Sequence, residues 1–147
     1  MKNLTSLAIG KQMERKCERL YVKDFLDELP SFCNERVEFY IDVINKDEIL
    51  NFLLKKKKKT RRILYEIFSL RYVYDLYDKE EVSDKAKNIT AMKFKSRSNE
   101  RIYCREFFIE DNTIIKKVVM ITLYCKNEMD KKTKKMIENI GDYNYGF

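Results

Sequence analysis

The chain has 147 residues, with 31 Lys and Arg against 24 Asp and Glu, for a formal net charge of +7. It contains no histidine, which excludes catalytic pairs and triads built on imidazole and metal sites built on His. With 44% hydrophobic and 13% aromatic residues, it has apolar material for one core without disulfides or a structural metal, so a disordered chain is excluded.

The excess of cations favours an anionic partner, nucleic acid above all. The cysteines at 17, 33, 104 and 125 form no CxxC pair and have no metal-ligand spacing. No apolar run approaches the roughly 18 residues of a membrane span, and the start MKNLTSLAIGKQ is too soon interrupted for a signal peptide. A reduced, cytoplasmic protein with no membrane partner is expected.

Residues 5 to 29 read as a helix stopped by Pro30, with Leu20, Phe25, Leu26 and Leu29 as a loose apolar stripe. It would form an N-terminal helical extension over 1–33, either packed back on the domain or made for a partner. Val37, Phe39, Ile41 and Val43 then alternate with polar residues, the period of a strand. Asn45 or Asp47 can cap a helix carrying Ile49, Leu50, Leu53 and Leu54. After the basic run KKKKKTRR, Lys55 to Arg62, a second helix carries Ile63, Leu64, Ile67, Phe68 and Leu70, and RYVYDLY can continue it. Asp78 to Asn88 is a polar connection.

From Ile89 the period changes to two. ITAMKFK is a strand with Met92 and Phe94 opposite Lys93 and Lys95, SRSNE is a hairpin turn, and RIYCREFFI returns as a second strand. Ile115 to Tyr124 is apolar and β-branched enough for a central strand. Asp130 can cap a last helix that Gly141 ends. The expected fold is α+β, with three meandering strands and helices packed on one face. The other face is left uncovered for Lys93, Lys95, Arg101, Tyr103 and Arg105.

Cations spaced along a sheet, with Tyr103 among them and Tyr124 on the next strand, suit a phosphodiester backbone and its bases. RNA brings its own nucleophile, the 2′-OH, so cleavage needs only a proton acceptor, cations for the transition state and a proton donor. A Lys whose pKa is lowered by neighbouring cations can be the acceptor, and an Arg the phosphate clamp.

The order of elements, with MKFKSRSNERIYCREF and ITLYCKNEMDKKTKK, resembles the RelE/HigB-like toxins of type II toxin–antitoxin systems over roughly residues 36 to 140. The resemblance implies a toxin domain over 34–147. Its fold would be a small antiparallel sheet in the order β-α-α-β-β-β-α, with helices on one face. The implied activity is metal-independent, cofactor-free cleavage of mRNA, associated with the ribosome and neutralised by a cognate antitoxin protein. By position, Lys93 and Lys95 would be base and electrostatic partner, and Arg101 would hold the scissile phosphate. Lys126 would stand in for a second phosphate-binding Arg where Asn127 departs from the pattern. Arg97 and Arg105 would contact RNA, with Tyr103 and, from the tail, Tyr143 and Tyr145.

Other readings stand beside this one. The same scaffold supports a non-catalytic nucleic-acid or ribosome-binding module, or a ParE-like inhibitor of gyrase. Alternating lysines are also what a solvated sheet face carries, Arg105 can pair with Asp42, and Tyr143 and Tyr145 can simply anchor the tail. Lys55 to Arg62 reads either as a solvated helix corner or as a patch attracting ribosomal RNA.

Overall fold

A computed structural model describes residues 13–26, 36–95, 99–109, 116–125 and 131–147. The alternation of Val37, Phe39 and Ile41 forms a strand, and its two neighbours are β-branched or mixed stretches from opposite ends of the chain. Strands β1 (Met13–Arg15), β2 (Cys17–Leu20) and β3 (Val37–Asp42) precede helices α1 (Lys46–Lys55) and α2 (Lys57–Phe68). Strands β4 (Tyr77–Lys79), β5 (Ile89–Lys93), β6 (Glu100–Phe108) and β7 (Lys116–Cys125) follow, then α3 (Lys131–Gly141) and β8 (Tyr143–Tyr145). The fold is α+β.

Six strands form one sheet in the order β2-β3-β7-β6-β5-β4. The sheet is mixed, not antiparallel, because β7 lies parallel to β3 while the other pairs run antiparallel. β7 is long, apolar on both sides and central, as its composition requires. A register shift between Tyr103 and Cys104 turns the Arg101 end of the sheet relative to the rest.

Period two separates the sheet into two apolar faces. Phe39, Ile41, Met92, Ile102, Val118 and Met120 pack against Ile49, Leu53, Ile63, Leu64 and Ile67 of the α1–α2 hairpin. On the opposite face, Ile89, Ala91, Tyr103, Val119 and Ile121 pack against Ile137, Ile140 and Tyr145. Each fully buried Ile or Leu stabilises by about 1.5–3 kcal/mol over an exposed one. Helices on one face and an uncovered second face were therefore the wrong expectation. Lys-rich α3 keeps enough apolar residues on one side to cover the second face. It is held close to the turn at Asp84–Ala86, where a Cβ on Gly141 would stand 1.9 Å from the Lys85 carbonyl oxygen. Close packing is the reason for glycine there, since no glycine among the described residues has a positive φ.

The N-terminal helix is also corrected over its described part. Met13–Arg15 and Cys17–Leu20 are strands, followed by a 3-10 turn at Val22–Asp24. β2 lines up antiparallel on β3, β1 runs parallel to β8, and Leu20, Phe25 and Leu26 enter the main core. Residues 13–26 thus belong to the same core as the rest and are not an appendage. Ion pairs fix the edge, Arg19 to Glu38 across the strands at 2.9 Å and Glu18 to Lys46 at the start of α1 at 2.8 Å.

RYVYDLY does not extend α2. The helix closes at Phe68, Leu70 takes a left-handed φ of 59°, and a tight turn bridges Val73 to Tyr77. Asn45 precedes α1 as expected but spends its side chain elsewhere, donating to the Ile121 carbonyl at 2.7 Å.

Candidate functional site

Lys93 and Arg101 are cross-strand partners at one end of the β5–β6 ladder, with Tyr124 beyond Arg101 on β7. Like charges directly opposite repel, and each side chain turns to a different acceptor. The Lys93 ammonium donates to the Tyr74 carbonyl at 2.8 Å and lies 4.2 Å from the centre of the Tyr74 ring, leaving the residue 5% exposed. Arg101 reaches across β5, past the small Ala91, to an ion pair with Glu80. Both members of that pair are mostly buried, their side chains 14% and 13% exposed.

Lys95 sits past the end of β5 with φ 46°, so strand alternation no longer governs its direction. It pairs with Asp75, and its ammonium lies 5.7 Å from the same Tyr74 ring. The hydrogen bond and charge of Lys95 hold the Asp75 carboxyl below its ordinary range, with Lys93 and Lys59 adding to the effect. Lys93, Lys95 and the first turn of α2 therefore converge on the Tyr74–Asp75 corner.

Tyr103 follows Arg101 on the same face and is buried. Burial pushes its hydroxyl up to about 12, with Glu80 reinforcing and Arg101 opposing. Its hydroxyl and the Arg101 Nε are both buried and without a hydrogen-bond partner among the described residues. Two enclosed polar groups left unsatisfied beside the Arg101–Glu80 pair are a cost that this part of the fold carries. The Tyr124 hydroxyl shares a hydrogen bond of 3.2 Å with Thr133 of α3.

The remaining predicted residues lie apart from this group. Arg105 reaches the Tyr143 carbonyl and stacks 4.8 Å from the Phe107 ring. Burial lowers its guanidinium pKa. Asp42 pairs instead with Arg15, through bonds of 3.0 and 3.1 Å, and accepts from the buried Tyr145 hydroxyl at 2.6 Å. Arg15 also lies 4.3 Å from the Tyr143 ring. Arg105, Tyr143 and Tyr145 thus fasten the C-terminal strand over the sheet, and the buried rings of Tyr103 and Tyr145 present no surface for stacking. Arg97, Lys126 and Asn127 lie outside the described residues.

Sequence reasoning missed Glu80, which lies in a stretch that reads only as a polar connection. It also missed a buried polar group on the α1–α2 face. There Glu106 accepts from Tyr72 at 2.7 Å, Tyr77 at 2.6 Å and Lys116 at 3.0 Å, and Thr90 donates to the Tyr77 hydroxyl at 2.8 Å. A shallow depression of about 490 Å³ lined by Glu81, Ser83, Asp84 and Lys87 lies off the cationic end of the sheet.

Among the described residues no helix is long and apolar enough to cross a membrane. No family model, curated protein or solved structure matches the chain.

Proposed function

We propose that the chain is a RelE/HigB-like toxin, an endoribonuclease that cleaves mRNA at the ribosome by 2′-OH attack and is held in check by an antitoxin protein. The observation that carries this reading is the Lys93–Arg101–Glu80 group, with the unsatisfied Arg101 Nε and Tyr103 hydroxyl beside it. An Arg paired to a carboxylate is a phosphate clamp at rest: an incoming phosphate takes the guanidinium, and the displaced carboxylate becomes an acceptor for the 2′-OH proton. Glu80 thereby takes the part of base first expected of Lys93. Lys93, one strand away, adds positive charge where the phosphorane gains negative charge. Between Val37 and Gly141 the order is strand, two helices, four strands and a closing helix, one strand more than the resemblance implies.

One observation favours a second reading, a non-catalytic nucleic-acid-binding module. Lys93, Lys95 and Arg101 each already hold an internal acceptor.

Tightly controlled expression separates the two. Wild-type induction is expected to arrest growth with loss of mRNA, and the Lys93→Ala/Arg101→Ala variant to restore growth. Glu80→Gln, which preserves shape, is expected to do the same. Harmless expression of the wild type, or arrest unchanged by these substitutions, contradicts the enzyme. Induction of a DNA damage response with intact mRNA identifies a gyrase inhibitor instead.

A further inference from the structure

The RYVYDLY segment sends its tyrosines in different directions. Tyr77 is fully buried and Tyr72 reaches inward to Glu106, whereas Tyr74 is 73% exposed. Among the described residues the Tyr74 hydroxyl makes no hydrogen bond; the contacts of this residue run through its carbonyl and its ring. A tyrosine kept only to anchor a turn buries its ring, and this one does not. The turn is fixed from behind instead. Lys93 holds the Tyr74 carbonyl, and the Leu76 carbonyl accepts from the Lys93 backbone N–H at 2.8 Å. The ring is therefore displayed on a rigid support.

Its surroundings are cationic. The Lys93 and Lys95 ammonium groups stand 4.2 and 5.7 Å from the ring centre, and Lys59 acts on the neighbouring Asp75. From Lys59 the exposed residues Lys57, Lys58 and Arg62 continue the positive surface along α2. Asp75, the partner of Lys95, is exposed and exchangeable with a phosphate. An exposed aromatic ring with a buried ammonium against it and exposed cations nearby suits a single strand: the base stacks on the ring and the flanking phosphates meet Lys95 and the exposed cations of α2, while Lys93 stays on the Tyr74 carbonyl. A duplex keeps its bases stacked inside and offers nothing to the ring.

We propose that Tyr74, flanked by Lys93 and Lys95, is a base-stacking platform for single-stranded RNA beside β4, the edge strand of the sheet. This inference rests on the reading of the chain as an RNA-directed protein and gives that site a nucleotide-binding position beside the Arg101–Glu80 pair.

The test is binding of a short fluorescent 2′-O-methyl oligouridylate, which resists cleavage, with an abasic strand of the same length and an RNA duplex as comparisons. Tyr74→Ala is expected to weaken binding of the oligouridylate about tenfold, within the range for loss of one stacked base. Tyr74→Phe keeps affinity within about twofold, since the π face remains. The abasic strand and the duplex bind wild type and Tyr74→Ala alike. Tyr74→Leu, which keeps bulk without an aromatic face, is expected to behave as Tyr74→Ala and guards against a folding defect in the smaller variant. Unchanged binding by Tyr74→Ala overturns the platform while leaving the enzymatic reading intact, as does an equal loss on the abasic strand. If the wild type binds no RNA of any kind, the functional reading fails and the platform with it.

Discussion

Glu106 is buried and accepts from three donors, Tyr72 in a loop, Tyr77 on β4 and Lys116 on β7. Removing it leaves Lys116 charged and 3% exposed, and strands the hydroxyls of Tyr72 and Tyr77. Breaking a buried ion pair from one side costs about 3–5 kcal/mol, whereas replacing both partners with apolar residues of similar volume is often close to neutral. Glu106→Ala is thus expected to lower unfolding free energy in urea by about 3 kcal/mol, and Glu106→Leu/Lys116→Met to recover most of that loss. Equal instability of the single and double variants contradicts this view of the pair. The group was hidden in the sequence because Glu106 and Lys116 look like any two polar residues on alternating strands. Only the antiparallel register of β6 and β7, with Tyr72 and Tyr77 folded in from a turn, makes them neighbours.

At the scale of elements, β3, the two helices, the β5–β6–β7 meander and the last helix follow from the local period of their apolar residues, and were legible. The failures share one cause. β1, β2, β4 and β8 are strands of three or four residues whose identity comes from distant partners and not from their own pattern. Glu14, Arg15 and Arg19 fall in the stretch read as a helix, but their side chains find partners on β8 and β3 once those strands are alongside. Likewise, Lys93 to Arg105 reads as one cationic face, yet the fold divides it: Lys93 and Lys95 go to Tyr74, Arg101 to Glu80 and Arg105 to the tail. The start of α2 carries a conflict that remains visible. Lys57, Lys58 and Lys59 occupy its first turn with no acidic residue, where the helix dipole favours negative charge. Lys57→Glu/Lys58→Glu is expected to raise the unfolding free energy measured in urea by about 0.3–1 kcal/mol per substitution, while weakening RNA binding at low salt. A variant that gains stability and keeps its affinity contradicts a role for this turn in holding RNA.

For the whole molecule, several groups keep their protons in the folded state to higher pH than in the unfolded chain. Burial pushes the Cys17 thiol up to about 11 from 9.0. Burial and the bond to Glu38 push Tyr40 up to about 12, and burial does the same for Tyr103, both from 10.0. Tyr72, Tyr77 and Tyr145 are raised further by burial and their carboxylate partners. For an acid raised by folding, the folded state binds more protons once the unfolded group has ionised, so stability falls as pH rises. Their contribution is fully present below about pH 9 and is lost from there through pH 12, first with Cys17 and then with the tyrosines. Urea midpoints measured across this range should be level up to about pH 9 and then drop steeply. A level profile through pH 12 contradicts the burial of these hydroxyls.

The central claim is that the end of the β5–β6 ladder cleaves RNA through its own 2′-OH, with Arg101 as phosphate clamp. Its most direct test is incubation of the purified protein with end-labelled mRNA engaged on ribosomes, at a magnesium concentration that keeps them assembled. Wild type is expected to give fragments with 2′,3′-cyclic phosphate ends, and Arg101→Ala to slow their formation by at least about a hundredfold, the scale for removing one group that stabilises the transition-state charge. Intact mRNA with the wild type, fragments ending in 3′-hydroxyl groups, or cleavage unchanged in Arg101→Ala contradicts it.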